Sequence, residues 1–228
     1  MIYSAIIPAG GSSTRYGNGN KLFELLNGKP VFIHAVEQFS FFCKDCHIVI
    51  PVHKDYISAL QDLLNQYIPG QTITVVTGGA DRTRSVLNAM EALPAECDLT
   101  AVHDAARPLI RKETIKAVYD AAEQHSAAAA ARRVTNTLKL SDEEGLLTAG
   151  NINRDMMWEI ETPQTFRREL LLHALRETVA QNTSFTDDTA AVERFCGIRA
   201  IPVQPAEINL KITRLSDLAL AEALIKIR

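Results

Sequence analysis

Short apolar runs that alternate with amphipathic stretches constrain this chain more than any other feature. Four runs have the length of strands: Ile2 to Ile7, His47 to Val52, Thr72 to Val76 and Leu99 to Val102. Between the first two, Pro30 is placed as the first residue of a helix whose Val31, Ala35, Val36 and Phe39 share one face. Ile57, Leu60, Leu64 and Tyr67 or Ile68 repeat that spacing within 55–68, and Ile115, Val118, Tyr119 and Ala122 repeat it within 112–124. Strands joined through helices require right-handed crossovers and a sheet covered on both faces. The expected fold is therefore α/β, a doubly wound and mostly parallel sheet.

The alternation breaks after Arg133. Thr137 to Ser141 alternates with period two, Asp142 to Gly145 has turn chemistry, and Leu146 to Thr148 resumes the pattern, which predicts a hairpin. A lone hairpin is barely stable, so this arm needs a support, and the same arm of a second subunit is the simplest one. Before it, the five alanines Ala127 to Ala131 favour helix by propensity and strand by position, and position is given precedence. After it, helices are expected over 169–179, after an opening by Thr186 and Asp187, and from a Ser216 cap to Ile227. The 228 residues then form a single domain, 1–228, with a β-arm at 134–160.

Charge and cysteine usage exclude several function classes. Lys and Arg number 24 against 27 Asp and Glu, a net charge of −3, so an anionic ligand must be held by locally placed cations and a nucleic-acid coat is not expected. No apolar run reaches the length of about 18 residues that a bilayer span needs, so no membrane partner is expected. The first residues read as a strand and not as a secretory signal. The cysteines Cys43, Cys46, Cys97 and Cys196 are scattered, which suits reduced thiols and a cytoplasmic protein. Cys43 and Cys46 make an isolated C-x-x-C, with no second pair to complete a zinc site.

Chemistry gathers in three clusters. Pro8, Ala9, Gly10 and Gly11 open a glycine-rich loop straight after the first strand, and the loop continues through Arg15 to Lys21. Glycine lets backbone N–H groups approach a phosphate closely, yet neither the P-loop nor the dinucleotide pattern is completed here. Two cations in such a loop suit charge neutralisation at a phosphate under attack, and a plain surface turn is the alternative. Next, His103, Asp104 and Arg107 follow the strand ending at Val102, where an open sheet places its ligand crevice; a local Asp104–Arg107 ion pair would also account for them. Third, Gly78 and Gly79 end a strand, and Ser85 follows as either a ligand contact or a helix cap.

Taken in order, PAGGSSTRYGNGNK, GGADRTRSV, VHDAARP, NRDMMWEIETPQTF, FTDD and NLKIT closely resemble the 2-C-methyl-D-erythritol 4-phosphate cytidylyltransferases along essentially the whole chain. The resemblance implies a Rossmann-like nucleotidyltransferase fold and transfer of CMP from CTP to a polyol phosphate. It also implies Mg2+ carried mainly on the nucleotide phosphates without dedicated protein ligands, and a homodimer with interlocking arms. By matched position, Arg15, Lys21 and Lys211 act on the reacting phosphates, with Pro8, Ala9, Gly10 and Gly11 around the nucleotide. Gly78, Gly79 and Ser85 read cytosine. Asp104 and Arg107 lie on the ribose and acceptor side, where Lys211 also reaches, while Thr137 and Arg154 from the partner's arm grip the acceptor phosphate with Thr162 and Thr186.

Some positions depart from the family pattern. Ser13, Asn20 and Leu22 replace a common glycine, proline and glutamine of the first loop. Ala80 stands where an acidic residue often helps hold cytosine, so that contact is expected to shift to Asp81 or to backbone groups. A ribitol 5-phosphate cytidylyltransferase, another sugar nucleotidyltransferase and a noncatalytic nucleotide-sensing module are the alternative functions.

Overall fold

The computed structural model describes residues 1–10, 20–43, 45–148, 150 and 152–227. Strand β1 (Tyr3–Ile6) is followed by a two-residue ladder, β2 (Leu25–Leu26) with β3 (Lys29–Pro30), and by helix α1 (Val31–Phe42). Next come β4 (His47–Val52), α2 (Ile57–Tyr67), β5 (Ile73–Thr77), α3 (Arg82–Ala92), β6 (Leu99–Val102) and α4 (Lys112–His125). The second half contains β7 (Ala127–Arg133), β8 (Trp158–Arg167), α5 (Arg168–Ala180), α6 (Asp188–Cys196), β9 (Ile201–Val203) and α7 (Leu215–Lys226).

Seven strands form one sheet in the order β5-β4-β1-β6-β8-β7-β9. β1 lies between β4 and β6 and is parallel to both, which makes it the switch point of a doubly wound sheet. β8 alone runs against its neighbours, pairing antiparallel with β6 and β7, and β9 is parallel to β7. The expected α/β class and mostly parallel sheet are therefore found.

Alternate strand residues supply two separate cores, one on each face. Ala5, Ile48, Ile50 and Val52 pack with Val36 and Phe39 of α1, Leu60 and Leu64 of α2, Ile115 and Val118 of α4, and Ala221 of α7. On the other face Ile6 and Val49 pack with Val86 and Met90 of α3, Leu171 and Leu175 of α5, and Val192 of α6. Each fully buried branched side chain contributes roughly 1.5–3 kcal/mol, which holds both helix layers to the sheet. The alanine run obeys the same rule: Ala127 belongs to the second core, Ala128 and Ala130 to the first. Sheet pairing between β8 and β9 thus overrides the helical propensity of alanine.

Several boundaries differ from the sequence expectation. Pro30 is not the first helical residue; it closes the ladder opposite Leu25 and flanks α1 from outside. The 55–68 segment begins as a 3-10 turn over Lys54–Tyr56 before α2. Ser216 does not cap α7: the Asp217 carboxylate accepts from the Thr213 N–H (2.8 Å) and Arg214 N–H (2.8 Å), and the helix starts two residues earlier, with Arg214 as its cap. Residues 158–160, expected in the arm, pair with β7 through Arg133↔Trp158, Arg132↔Glu159 and Ala131↔Ile160. Trp158 is the first residue of β8 and lies beneath the Arg133 guanidinium at 4.0 Å. Within the arm, the hairpin reduces to a single Ser141↔Leu147 bridge, its turn held by the Asp142 carboxylate accepting from the Leu146 N–H at 2.8 Å.

Candidate active site

The carboxyl ends of β1, β5 and β6 bring Pro8–Gly10, Gly78–Gly79 and His103–Arg107 to one rim of the sheet. Because β8 is reversed and pairs Gln164 with Val102, its residues Glu161 and Thr162, just before that pair, arrive at the same rim. Asp104 is the centre of this rim. Its Oδ2 is 2.7 Å from Lys211 Nζ and 3.7 Å from Arg107 Nε. Burial alone would raise the Asp104 pKa, but the charge and hydrogen bond of Lys211, with Arg82 and Arg107, bring it down to about 2.

The Asp104 backbone N–H donates to Thr162 Oγ1 (3.0 Å), and that hydroxyl also bonds His103 Nδ1 (3.2 Å). His103 Nε2 meets the Arg107 carbonyl at 3.3 Å, so the imidazole is enclosed by the loop it belongs to. Burial pushes its pKa down to about 4. His103 is therefore a neutral strut at physiological pH, not a proton carrier facing the cleft.

One short segment ties the rim together. Arg107 Nη1 donates to the Asn209 carbonyl (2.7 Å), Ile212 N–H donates to the Ala106 carbonyl (2.8 Å), and Lys21 Nζ donates to the Ile212 carbonyl (2.9 Å). Lys211 and Arg107 thus meet at the Asp104 carboxylate, and Lys21, from the other end of the chain, is tied to the residue after Lys211, an arrangement that concentrates positive charge where a polyphosphate can be neutralised.

The family model for 2-C-methyl-D-erythritol 4-phosphate cytidylyltransferase, IspD, matches residues 3–227. The chain belongs to the IspD family. A Bacillus velezensis protein named 2-C-methyl-D-erythritol 4-phosphate cytidylyltransferase is 36% identical over 99% of this chain and 97% of its own length. The "Bifunctional enzyme IspD/IspF" of Desulfotalea psychrophila is 35% identical over 98% of this chain, which spans only 56% of that longer protein. In structure, the 4-diphosphocytidyl-2C-methyl-D-erythritol synthase of Anaerococcus prevotii superposes with a TM-score of 0.86 at 25% identity, covering 99% of this chain and 96% of that one.

Within this IspD-family fold the residues marked by sequence take different positions. Lys21, Asp104, Arg107 and Lys211 converge as described, whereas Gly11 and Arg15 lie outside the described residues. Pro8 and Ala9 follow β1, but the Ala9 N–H donates to the Pro51 carbonyl (2.9 Å) and is not open to a ligand. Among the described residues, nothing stands within 4 Å of where a Cβ on Gly10 would lie. Ser85 Oγ donates to the Asp81 carbonyl (2.7 Å) and accepts from the Gly79 N–H (3.0 Å), so it shapes the glycine turn from inside. A Cβ on Gly79 would lie 2.8 Å from the Arg84 carbonyl carbon, which leaves only glycine room there. Asp81 caps α3 through the Arg84 N–H (2.7 Å) and pairs with the Arg84 guanidinium. Asp81, one of the groups expected to take over from Ala80, is therefore engaged within its own chain at the start of α3.

Thr162 is buried behind Asp104, a support for that loop more than an open ligand contact. Thr186 is exposed just before α6, and Thr137 is exposed on the arm. Arg154 Nη1 donates to the Thr135 carbonyl (2.9 Å) across the arm base. Sequence reasoning gave no role to Arg82, Asp188, Glu161 or Asn209, although each stood inside a quoted motif. Arg82 makes a two-pronged bond to the buried Asp188 carboxylate (2.9 and 2.8 Å), tying α3 to α6. Burial works against the Arg82 charge, yet Asp188 holds its pKa above the usual guanidinium range. These partners are far apart in sequence, and only the fold reveals them.

Proposed function

We propose that the protein transfers CMP from CTP to 2-C-methyl-D-erythritol 4-phosphate, releasing pyrophosphate and forming 4-diphosphocytidyl-2-C-methyl-D-erythritol in non-mevalonate isoprenoid biosynthesis. Family membership along residues 3–227 supports it. The observation that carries it in the structure is the meeting of Lys211 with Asp104 at 2.7 Å beside the Lys21–Ile212 contact. An acceptor phosphate is already ionised at neutral pH, so it attacks the α-phosphorus without a general base. The P–O bond to the leaving group breaks, and pyrophosphate takes the electron pair. Catalysis then consists of bringing two polyanions together and holding the charge that spreads over the α-phosphate oxygens.

In this reading Lys21 and Arg15 hold the triphosphate, Lys211 leaves Asp104 for the reacting phosphates, and the Gly78–Gly79 backbone reads the base. Asp104 then faces the ribose with Arg107 beside it. Mg2+ fits the donor set as an ion carried by phosphates. Asp104 is ionised at neutral pH and is the protein oxygen that would reach the ion, and no cluster of three His, Cys, Asp or Glu among the described residues could cage one. Such an ion would neutralise phosphate charge when bound.

The same reading includes a homodimer in which the partner's Thr137 and Arg154 complete the acceptor site. Leu140, Leu146, Leu147 and Met156 are all more than 60% exposed on the arm, an apolar surface that a second copy would cover. We place the enzyme in the cytoplasm; among the described residues no helix is long and apolar enough to cross a membrane. The deciding assay measures pyrophosphate release from each of the four nucleoside triphosphates, with methylerythritol phosphate or ribitol phosphate as acceptor. Release with CTP and methylerythritol phosphate is expected. A preference for ribitol phosphate moves the chain to the sister activity, and no release with any pair leaves a nucleotide sensor.

A further inference from the structure

The segment 209–212 bonds to Ala106 and Arg107, to Lys21 and to Glu161 and Thr162, and its first residue is the one whose side chain does no chemistry. Asn209 is buried, with a relative exposure of 1%. Its Nδ2 donates to Glu161 Oε2 (2.9 Å) and to the Thr162 carbonyl (2.8 Å), both within β8. Both partners are pure acceptors, which fixes the orientation of the amide. Glu161 is itself buried and is held at its other oxygen by Arg132 Nε of β7 (2.8 Å). Arg132 also donates to the Glu207 carbonyl, two residues before Asn209. A closed circuit therefore runs from β7 through Arg132 and Glu161 to Asn209 and back to the segment that carries Lys211.

We infer that Asn209 is a positioning residue for the transfer reaction: through Glu161 and Thr162 it sets the backbone from which Lys211 reaches Asp104, and so couples the acceptor side of the rim, at Thr162, to the phosphate side, at Lys211. The inference rests on the transfer reading above and deepens it. Lys211 has a long side chain that is about 42% exposed, so the place its ammonium reaches on Asp104 depends on where its backbone is held. Asn209 and the Ile212–Ala106 bond hold that backbone from either side. Removing the amide leaves Glu161 and the Thr162 carbonyl without their shared donor and frees the segment on the side facing β8.

The test compares the wild-type full chain with Asn209→Ala in two measurements. In steady-state kinetics, kcat is expected to fall about 10- to 100-fold with the KM for CTP changed less than about threefold, the split expected of misplacement without lost ground-state binding. In amine acylation followed by peptide mass spectrometry, without nucleotide, Lys211 is expected to react about threefold or more faster relative to exposed Lys116, because a loosened pair with Asp104 leaves its amine open to the reagent for more of the time. A merely structural role would lower stability and leave the relative reactivity of Lys211 unchanged. Asn209→Asp, of nearly the same size and lacking the donor, carries the same test if the alanine variant does not fold. Unchanged Lys211 labelling in a folded variant, a loss confined to KM, or failure of both variants to fold overturns the inference. Labelling needs no turnover, so its failure counts against positioning alone, while absence of transfer in the wild type with labelling as expected counts against the reaction assigned.

Discussion

Acidification should destabilise this protein through His103 over a definite pH range. The imidazole is fully buried, bonded to Thr162 Oγ1 and the Arg107 carbonyl, and stacked obliquely near Phe39 with ring centroids 5.3 Å apart. Burial lowers its pKa from 6.5 to about 4, and the nearby Asp104 charge opposes that shift only partly. Because the folded value is depressed, the unfolded chain binds a proton that the native state refuses. The contribution is fully present above about pH 6.5 and is lost as the pH falls through about 4, with a total near 3 kcal/mol. Urea unfolding of the wild type and of His103→Asn at about pH 7.5 and about pH 4.5 isolates this effect, since the other carboxylates titrate in both proteins. The wild type should lose about 2–3 kcal/mol more than the variant between those conditions. Equal losses would refute the reasoning, and so would a His103 C2–H proton resonance titrating near the free-imidazole value.

Other perturbations address the rim directly. Lys21→Ala should lower kcat by about 100-fold or more with a smaller change in apparent CTP affinity, and an unchanged kcat in steady-state assays would remove Lys21 from the reacting phosphates. Gly79→Ala has no room beside Arg84 and should cost about 1–3 kcal/mol in thermal or urea unfolding while weakening CTP binding; wild-type behaviour in both would show that the turn can move. Arg82→Ala strands the buried Asp188 carboxylate and should cost about 3–5 kcal/mol of stability, most of it recovered when Asp188→Asn is added. Mixed dimers of Arg154→Ala with Lys21→Ala subunits should regain activity at one of their two sites, and verified heterodimers without it would argue against shared sites.

The sheet was legible because its strands are apolar runs of the right length and its helices carry clear one-face patterns. β4 and β6 begin and end where the pattern says. The alanine run was decided by position, since side chains this small pack equally well in either geometry and leave topology to choose. Helix starts were less legible. Asp217, three residues into the motif, takes the capping duty that Ser216 offered, and a proline can flank a helix as easily as begin it. Within the rim, Asp104, Arg107 and Lys211 could be found because each sits in a compact motif after a strand or near the terminus. The supports were hidden for a physical reason: Arg82 with Asp188, and Asn209 with Glu161, are ordinary polar residues until folding removes water from around them and makes each partner indispensable.

A strand that runs against its neighbours changes where the polypeptide leaves and re-enters the sheet. β7 ends and β8 begins side by side, with Arg133 opposite Trp158, so the excursion between them is sealed at its root. Its length is then free to drift, because doubling a flexible loop costs only about 0.6 kcal/mol. Inserting or deleting residues beyond that seal leaves Gln164 across from Val102 undisturbed. Such changes redraw what the excursion itself presents, Thr137 and Arg154 included, while the rim at the other end of the pairing keeps its register.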